Sequence, residues 1–404
     1  MRLSRNARWA VPAAAVIVTG GAIAASGMTI AAAAPNLPAK TPAQLLAAIA
    51  STQKIPALTG TVVETTNLGL PKLPQVGNPT SLTSLLTGSH TIKVYWQDGT
   101  HFRLAMPSTL SETDLIRNGT TGWLWESESN TVTKFSLADK PPTGSSADKA
   151  KAAKLRKAAA QAEANAPKTP QQAAADALAV VGPTTVVSVQ STLTVAGEPA
   201  YQLVLAPKDS RSTIGSVRIA IDGKTSVPLR VQVFAKGASS PAFQVGYTDI
   251  EYVTPDPANF NFTPPPGATI DDTTKPQAPG TTPKEPALTG TFGTYGKNWL
   301  SVAEVPQSLL TMATRGGSPS GSRSSSASGG SVFSGETQMA INAFLGAGKQ
   351  VSGSWGSGQL IHTSLVNILI VGNEMYIGAV EPSVLYAAVG HATPVNSGSS
   401  AGNP

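Results

Sequence analysis

The sequence predicts an α+β protein built on an antiparallel sheet that curls toward a barrel, with a smaller β-rich C-terminal region. Apolar and polar residues alternate with a period of two on both sides of Asp98–Gly99 and of Asp222–Gly223, which is typical of β-hairpins. Further alternating runs follow at short spacing from Gly182 to Phe262, which favours a meander that curls toward a barrel. The 38 glycines and 32 prolines suit a turn-rich chain.

The first 34 residues have the pattern of a secretory signal peptide. Three arginines within the first eight residues precede an apolar stretch that runs to about Ile30, and four alanines follow at 31–34. This pattern predicts an extracytoplasmic protein, secreted or associated with the cell envelope, and the alternative is an anchor that stays uncleaved. The same arginines supply half of the formal net charge of +6, so the charge gives little support for nucleic-acid binding.

Composition divides the chain after residue 34 into successive segments. They are a sheet-rich domain at 35–270 with a Lys/Ala-rich helical insert at 141–168, a Pro-rich linker at 271–286, a C-terminal α+β region at 287–392 with a Ser/Gly loop at 315–331, and a disordered tail at 393–404. The insert lacks an apolar stripe, which is typical of a solvated linker helix. The alternative is a cationic arm that makes peripheral contact with a membrane surface.

Several short elements are predicted from their terminal residues. Thr41 is an N-cap candidate, Pro42 suits the first helical position and Gln44 stands three residues after the cap, so a helix is predicted over 41–51. Further helices are predicted at 169–181, 303–312 and 382–389. Two strands, at 363–371 and 375–380, are predicted around Gly372–Asn373.

Residues for catalysis or metal binding do not form a recognisable pattern in this sequence. There is no cysteine, and the four histidines are scattered without the spacing of a zinc site. Glu112 and Asp114 are predicted to lie in an exposed turn between strands. We therefore predict no catalytic residue, no metal, no cofactor and no enzymatic activity.

Short signatures along the chain resemble a known family. They are the F-R-L hairpin at 102–104, I-R-N-G-T-T-G-W-L-W at 116–125, A-Y-Q-L-V-L-A-P at 200–207 and D-G-K-T-x-x-P-L-R-V-Q-V-F at 222–234. This pattern, over about 41–270, resembles the LolA/LolB/RseB-like family, most of all its actinobacterial LolA-family members, called outer-membrane lipoprotein carrier proteins. Residues 95–98 depart from it, because Tyr-Trp-Gln-Asp stands where the family has Arg-Pro before its F-R pair.

The resemblance implies an incomplete antiparallel β-barrel wrapped around lid helices, with an apolar cavity for acyl chains. The candidate cavity-lining residues are Trp96, Phe102, Leu104, Trp123, Trp125, Tyr201, Leu203 and Leu205. The candidate lid consists of helix 169–181 and an irregular apolar loop that contains Leu68, Leu70, Leu73, Leu82, Leu85 and Leu86. For each of these residues the alternative role is ordinary packing in the core.

These expectations lead to three hypotheses about function. The first is an exported carrier that binds lipid or lipoprotein acyl chains and moves them across the cell envelope. The second is an RseB-like envelope-stress sensor that binds lipid or lipoprotein and also a membrane anti-sigma protein. The third is a structural wall protein, which would have no cavity.

Overall fold

The computed structural model describes residues 35–51, 55–69, 87–108, 110–136, 182–272, 292–308, 346, 348–391 and 393–394. The signal peptide, the helical insert, the lid helix at 169–181 and the Ser/Gly loop are predictions that lie outside these residues. Within the described ranges, no helix has the length and hydropathy needed to cross a membrane.

Twelve strands form one large sheet. They are β1 (Leu58–Asn67), β2 (Thr87–Asp98), β3 (His101–Pro107), β4 (Glu112–Asn118), β5 (Thr121–Glu126), β6 (Thr131–Ser136), β7 (Thr185–Val195), β8 (Glu198–Pro207), β9 (Ile214–Asp222), β10 (Pro228–Ala235), β11 (Phe243–Glu251) and β12 (Thr269–Asp272). Their order is β12-β6-β5-β4-β3-β2-β1-β11-β10-β9-β8-β7. Among the described residues β12 and β7 do not pair, so the sheet is open there, and it has the incomplete-barrel form that the family resemblance implies.

The pairing within the large sheet is antiparallel except at one edge. There β12 runs parallel to β6, with Thr269 opposite Thr131 and Asp272 opposite Lys134. The last two residues of β12 extend the sheet into the stretch that composition assigns to a linker.

Aspartate side chains fix the two hairpin turns that the sequence predicts. Asp98 accepts hydrogen bonds at Oδ1 from the backbone N–H groups of Thr100 (2.7 Å) and His101 (2.9 Å). Asp222 accepts in the same way from the N–H of Lys224 (2.9 Å). Such side chains replace the missing partners of the turn backbone, so both turns are confirmed.

The helix α1 (Pro42–Ser51) begins with the capping box that the sequence predicts. The N–H of Thr41 donates to Oε1 of Gln44 (2.8 Å), and the N–H of Gln44 donates to Oγ1 of Thr41 (3.2 Å). Each side chain thus satisfies a backbone donor that the first helical turn leaves free. The cap therefore defines the N-terminal end of α1.

A second, seven-stranded sheet forms the C-terminal unit. Its elements are β13 (Gly293–Tyr295), β14 (Val302–Pro306), β15 (Lys349–Gly353), β16 (Gly356–His362), β17 (Asn367–Val371), β18 (Glu374–Gly378), β19 (Thr393–Pro394) and the helix α2 (Pro382–Ala388). The strand order is β15-β16-β17-β18-β14-β13-β19. The helix α2 packs Val384 and Leu385 against Leu369 and Tyr376 of this small sheet.

Two predictions for this region are corrected. The helix predicted at 303–312 is wrong over residues 303–306, because β14 occupies them and pairs with β18, and residues 309–312 lie outside the described residues. In β14, Val302 and Glu304 are buried and the intervening Ala303 is exposed, which is the period of a strand. The hydroxyl of Tyr376 donates to Oε1 of Glu304 (2.6 Å), which satisfies this buried carboxylate. The strand at 363–371 begins only at Asn367.

The residues before Asn367 form a turn that connects the two sheets. The N–H of Ser364 donates to the carbonyl of Leu68 (2.9 Å), and Leu365 packs with Leu68 and Ala242. A second connection is made by two backbone hydrogen bonds, from Thr213 N–H to the carbonyl of Ala379 (3.1 Å) and from Glu381 N–H to the carbonyl of Arg211 (2.7 Å). The junction therefore combines main-chain hydrogen bonds with apolar packing.

Candidate functional site

One face of the large sheet carries a row of side chains that crosses seven strands. Directly opposed residues of an antiparallel pair project to the same face. The row runs from β7 to β2 through Val189, Leu203, Ile219, Val231, Val245, Glu64 and His90. We call this side of the sheet the α1 face, because α1 packs on it through Leu45, which contacts Leu203.

Six of the eight candidate lining residues lie on the α1 face. Tyr201 and Leu205 alternate with polar or smaller residues in β8, in phase with Leu203. In β2, Trp96 is in phase with His90, and it pairs with Phe102 of β3, while Val94 pairs with Leu104. The hairpin β2–β3 and the strand β8 therefore present their apolar side chains to the same side of the sheet.

The other two candidates, Trp123 and Trp125, lie on the opposite face. Leu124 between them faces Leu115, which in turn faces Leu104, so the alternation of β5 places both tryptophans on the other side. There they contact the ring of Phe262, with ring centroids 6.2 and 6.4 Å apart. The expectation that these tryptophans share a face with Trp96 is wrong, and Phe262 gives them an ordinary packing partner.

The β7–β9 end of the α1 face is filled by α1. Leu45 has no exposed surface and packs against Tyr201, Leu203 and Ile221, and Leu205 packs at the margin of the same cluster. The hydroxyl of Tyr201 donates to the carbonyl of Pro38 (2.6 Å), and burial raises the pKa of that hydroxyl. At this end the candidate residues act as the core that holds the helix to the sheet.

The hairpin end of the α1 face is less completely covered. Trp96 and Phe102 stack with centroids 5.7 Å apart and an interplanar angle of 18°, and both side chains are only partly buried. Within the described ranges the indole Nε1 of Trp96 has no hydrogen-bond acceptor, although the atom is buried. An unsatisfied buried donor costs about 1–3 kcal/mol. This end thus combines apolar surface with one unused hydrogen-bond donor.

A buried polar cluster interrupts the apolar row. The Nε2 of His90 lies 3.7 Å from Oε2 of Glu64, and the hydroxyl of Thr66 donates to Oε1 of the same carboxylate. Burial raises the pKa of Glu64, while Thr66 and then His90 act to lower it. The prediction missed this cluster, although Glu64 is in phase with Val62 and His90 with Ile92 in the sequence.

The opposite face also contains an ion pair with a buried carboxylate and a partly exposed arginine. Arg103 donates through Nη2 to Asp114, which is 2 % exposed. The assignment of Asp114 to an exposed turn is wrong, because β4 begins at Glu112 and turns Asp114 inward. Burial raises the pKa of Asp114 to about 6, although the charge of Arg103 acts to lower it.

Of the candidate lid residues, Leu68 alone is described. Leu68 is buried against Ala235, Ala242 and Leu365 at the junction of the two sheets. The remaining lid candidates, Leu70, Leu73, Leu82, Leu85 and Leu86, lie outside the described residues. No group of three or more potential metal ligands occurs among the residues that the structure covers.

Comparison with solved structures finds similar chain folds at low identity. The MucB chain in the complex structure of Pseudomonas aeruginosa MucA/MucB is 12% identical with a TM-score of 0.40, over 87% of this chain and 98% of that one. A LolA-superfamily protein from Nitrosomonas europaea is 12% identical with a TM-score of 0.21, over 55% of this chain and 99% of that one. No family model matches this chain, and no curated protein matches it.

Proposed function

We propose that this protein is an exported carrier that holds acyl chains of a lipid or lipoprotein against the α1 face and moves them across the cell envelope. The observation that carries the proposal is the α1 face of an open sheet, whose row of side chains is apolar on the five neighbouring strands from β7 to β11 and which Trp96 and Phe102 extend on β2 and β3. An open sheet leaves room at the edge for a chain to enter and leave, which a closed and filled barrel does not.

The hairpin end of the α1 face is where the acyl chain binds. Trp96 and Phe102 are partly buried there, whereas α1 fills the end that contains Leu203. Each buried CH₂ group contributes ~0.8 kcal/mol, so a chain of about 16 carbons gains at most roughly 12 kcal/mol before the entropy cost of binding. The unused Nε1 donor of Trp96 suits the carbonyl of an ester or amide at the head of such a chain.

Native mass spectrometry of the protein purified from its own host tests whether a ligand is bound. We expect an acyl lipid or lipopeptide at a ratio near one to one, and lipid extraction then identifies its class. A protein that carries no lipid and also fails to take up a fluorescent acyl probe would contradict the proposal. The apolar face would then serve only as core.

Quenching of tryptophan fluorescence by a spin-labelled fatty acid tests where the acyl chain binds, because a nitroxide quenches a tryptophan only at short range. We expect Trp96→Phe to remove most of the quenched fluorescence. The matched control is Trp123→Phe, the same change on the opposite face, which should leave the quenched fraction nearly intact. If Trp123→Phe removes the quenching, or if the quenching persists in Trp96→Phe, the ligand does not bind at the hairpin end of the α1 face.

A second candidate function, an RseB-like sensor, is favoured by the junction between the two sheets. Main-chain hydrogen bonds join Thr213 to Ala379 and Ser364 to Leu68, and a sensor requires such direct contacts between its lipid-binding sheet and a partner-binding unit. A sensor would bind a membrane anti-sigma protein with an affinity that lipid alters, and it would retain its lipid. Transfer of a labelled acyl lipid between two vesicle populations by the purified protein alone supports the carrier, and retention without transfer supports the sensor.

A further inference from the structure

A cleft lies where the small sheet meets the β7–β9 end of the large sheet. It has a volume of about 610 Å³ and continues into a neighbouring hollow of about 310 Å³, with which it shares Thr184, Lys297, Asn298 and Leu300. Thr184 precedes β7 in the large sheet, whereas the other three belong to the turn between β13 and β14. Both units of the protein therefore contribute to its walls.

The charged side chains that line the cleft are predominantly basic among the described residues. Lys208, Arg211 and Lys297 line it, and Asp209 is the acidic residue that the described part of the chain contributes. The guanidinium of Arg211 donates to both carboxylate oxygens of Asp209 (3.0 and 2.7 Å), which lowers the pKa of Asp209 to about 2. This pair is close to neutral, so the two lysines give the cleft its positive charge.

The two lysines keep free hydrogen-bond donors. The Nζ of Lys208 donates to the carbonyl of Gly182 (2.6 Å), which uses one of its three N–H groups. The side chain of Lys297 is exposed and has no partner in the part of the chain that the structure describes. An ammonium group held at the mouth of a cleft is a point of attachment for an anion.

The turn that carries Lys297 is fixed in place. Gly296 has a φ of 75°, and a Cβ added there would lie 2.2 Å from the carbonyl oxygen of Leu300, so only glycine fits. Two residues after Lys297, the indole Nε1 of Trp299 donates to Oγ1 of Thr185 in β7 (2.7 Å). The backbone of Lys297 is thus held against the large sheet, so binding of an anion would need to order only the side chain.

One wall of the cleft is apolar. Leu300 of the turn and Val384 and Ala387 of α2 supply apolar lining in addition to the basic side chains. This combination suits a ligand whose anionic group is attached to an apolar body.

We propose that this cleft binds a phosphate group, either as free phosphate or phosphate ester or as the headgroup of an anionic lipid, with Lys297 and Lys208 as its ligands. The proposal does not depend on acyl binding at the α1 face. The cleft and that face use different residues, and the cleft lies at the junction, so its ligand would hold the two sheets together.

Isothermal titration of the full chain tests the proposal, with inorganic phosphate as one probe and vesicles of phosphatidylglycerol as the other. Vesicles of phosphatidylcholine are the control for the second probe. We expect Lys297→Gln to weaken binding roughly tenfold, as the loss of one charge-assisted hydrogen bond predicts. Lys208→Gln should weaken it in the same direction. Lys349→Gln, which removes an exposed lysine from the edge strand β15, is the matched control and should bind as the unaltered protein does.

The outcomes separate the two sources of phosphate. Binding of inorganic phosphate that depends on Lys297 supports a free phosphate group, and binding of phosphatidylglycerol vesicles alone, with the same dependence, supports a lipid headgroup. Failure to bind either probe would overturn the proposal. So would equal weakening by Lys297→Gln and Lys349→Gln, because the attraction would then come from overall charge and not from the cleft.

Discussion

Truncation of Leu45 tests whether α1 is held on the large sheet by the packing described above. Leu45 is 0 % exposed and contacts Tyr201, Leu203 and Ile221. The change Leu45→Ala removes three carbon groups, which at ~0.8 kcal/mol each corresponds to about 2.4 kcal/mol of lost transfer free energy. Incomplete collapse of the resulting cavity adds to this, so we expect a loss of about 3–4 kcal/mol in the free energy of unfolding.

Urea unfolding followed by tryptophan fluorescence and far-UV circular dichroism measures this loss. The matched control is Leu110→Ala, which makes the same chemical change at a leucine that is 97 % exposed, and we expect it to alter stability by less than about 0.5 kcal/mol. A loss below about 1 kcal/mol for Leu45→Ala would refute the reasoning. The helix would then rest on the sheet without stabilising it, and the β7–β9 end of the α1 face would be free for a ligand.

Two further predictions concern the cap of α1 and the buried polar cluster. Thr41→Ala removes the N-cap and should lower the free energy of unfolding by about 1 kcal/mol in the same urea experiment, whereas Thr41→Ser should be nearly neutral. Because burial raises the pKa of Glu64 above 4.5, the folded protein keeps a proton that the unfolded chain loses, and stability should fall as the pH rises from about 4.5 through the folded-state pKa. Burial also raises the pKa of Asp114 to about 6, so that carboxyl adds a slope of the same sign in this window. Glu64→Gln should therefore reduce the slope without abolishing it, and an unchanged slope would assign it to Asp114.

Local signals in the sequence predict the elements that depend on few residues. The capping box of Thr41 and Gln44 and the Asp98 turn are complete within four residues, so their hydrogen bonds follow directly from residue type and spacing. The incorrect helix prediction at 303–312 arises because this segment depends on a residue partner that is distant in the sequence. Residues 302–306 are strand because β18 lies beside them, and that partner is about 70 residues away in the chain.

To predict which candidate lining residues lie on which face of the sheet, the register between neighbouring strands must be known. Within one strand the phase is visible, so Trp123 and Trp125 are correctly expected to project together. Whether they share a face with Trp96 depends on how β4 pairs with β3. A change of one residue in that register would reverse the faces of β4 and β5 and move both tryptophans to the α1 face. The sequence does not mark where β4 begins, since Glu112 and Asp114 are typical turn residues.

The buried Glu64–His90 pair shows that the phase within a strand can also reveal a site. Both residues occupy positions where the alternation calls for an apolar side chain, and the register of β1 and β2 then places them opposite each other. A polar pair in such a position is costly unless its members satisfy each other, and here the Thr66 hydroxyl completes the arrangement. The pair lies on the same face as Trp96 but has almost no exposed surface, so it belongs to the core beside the acyl-binding surface that we propose.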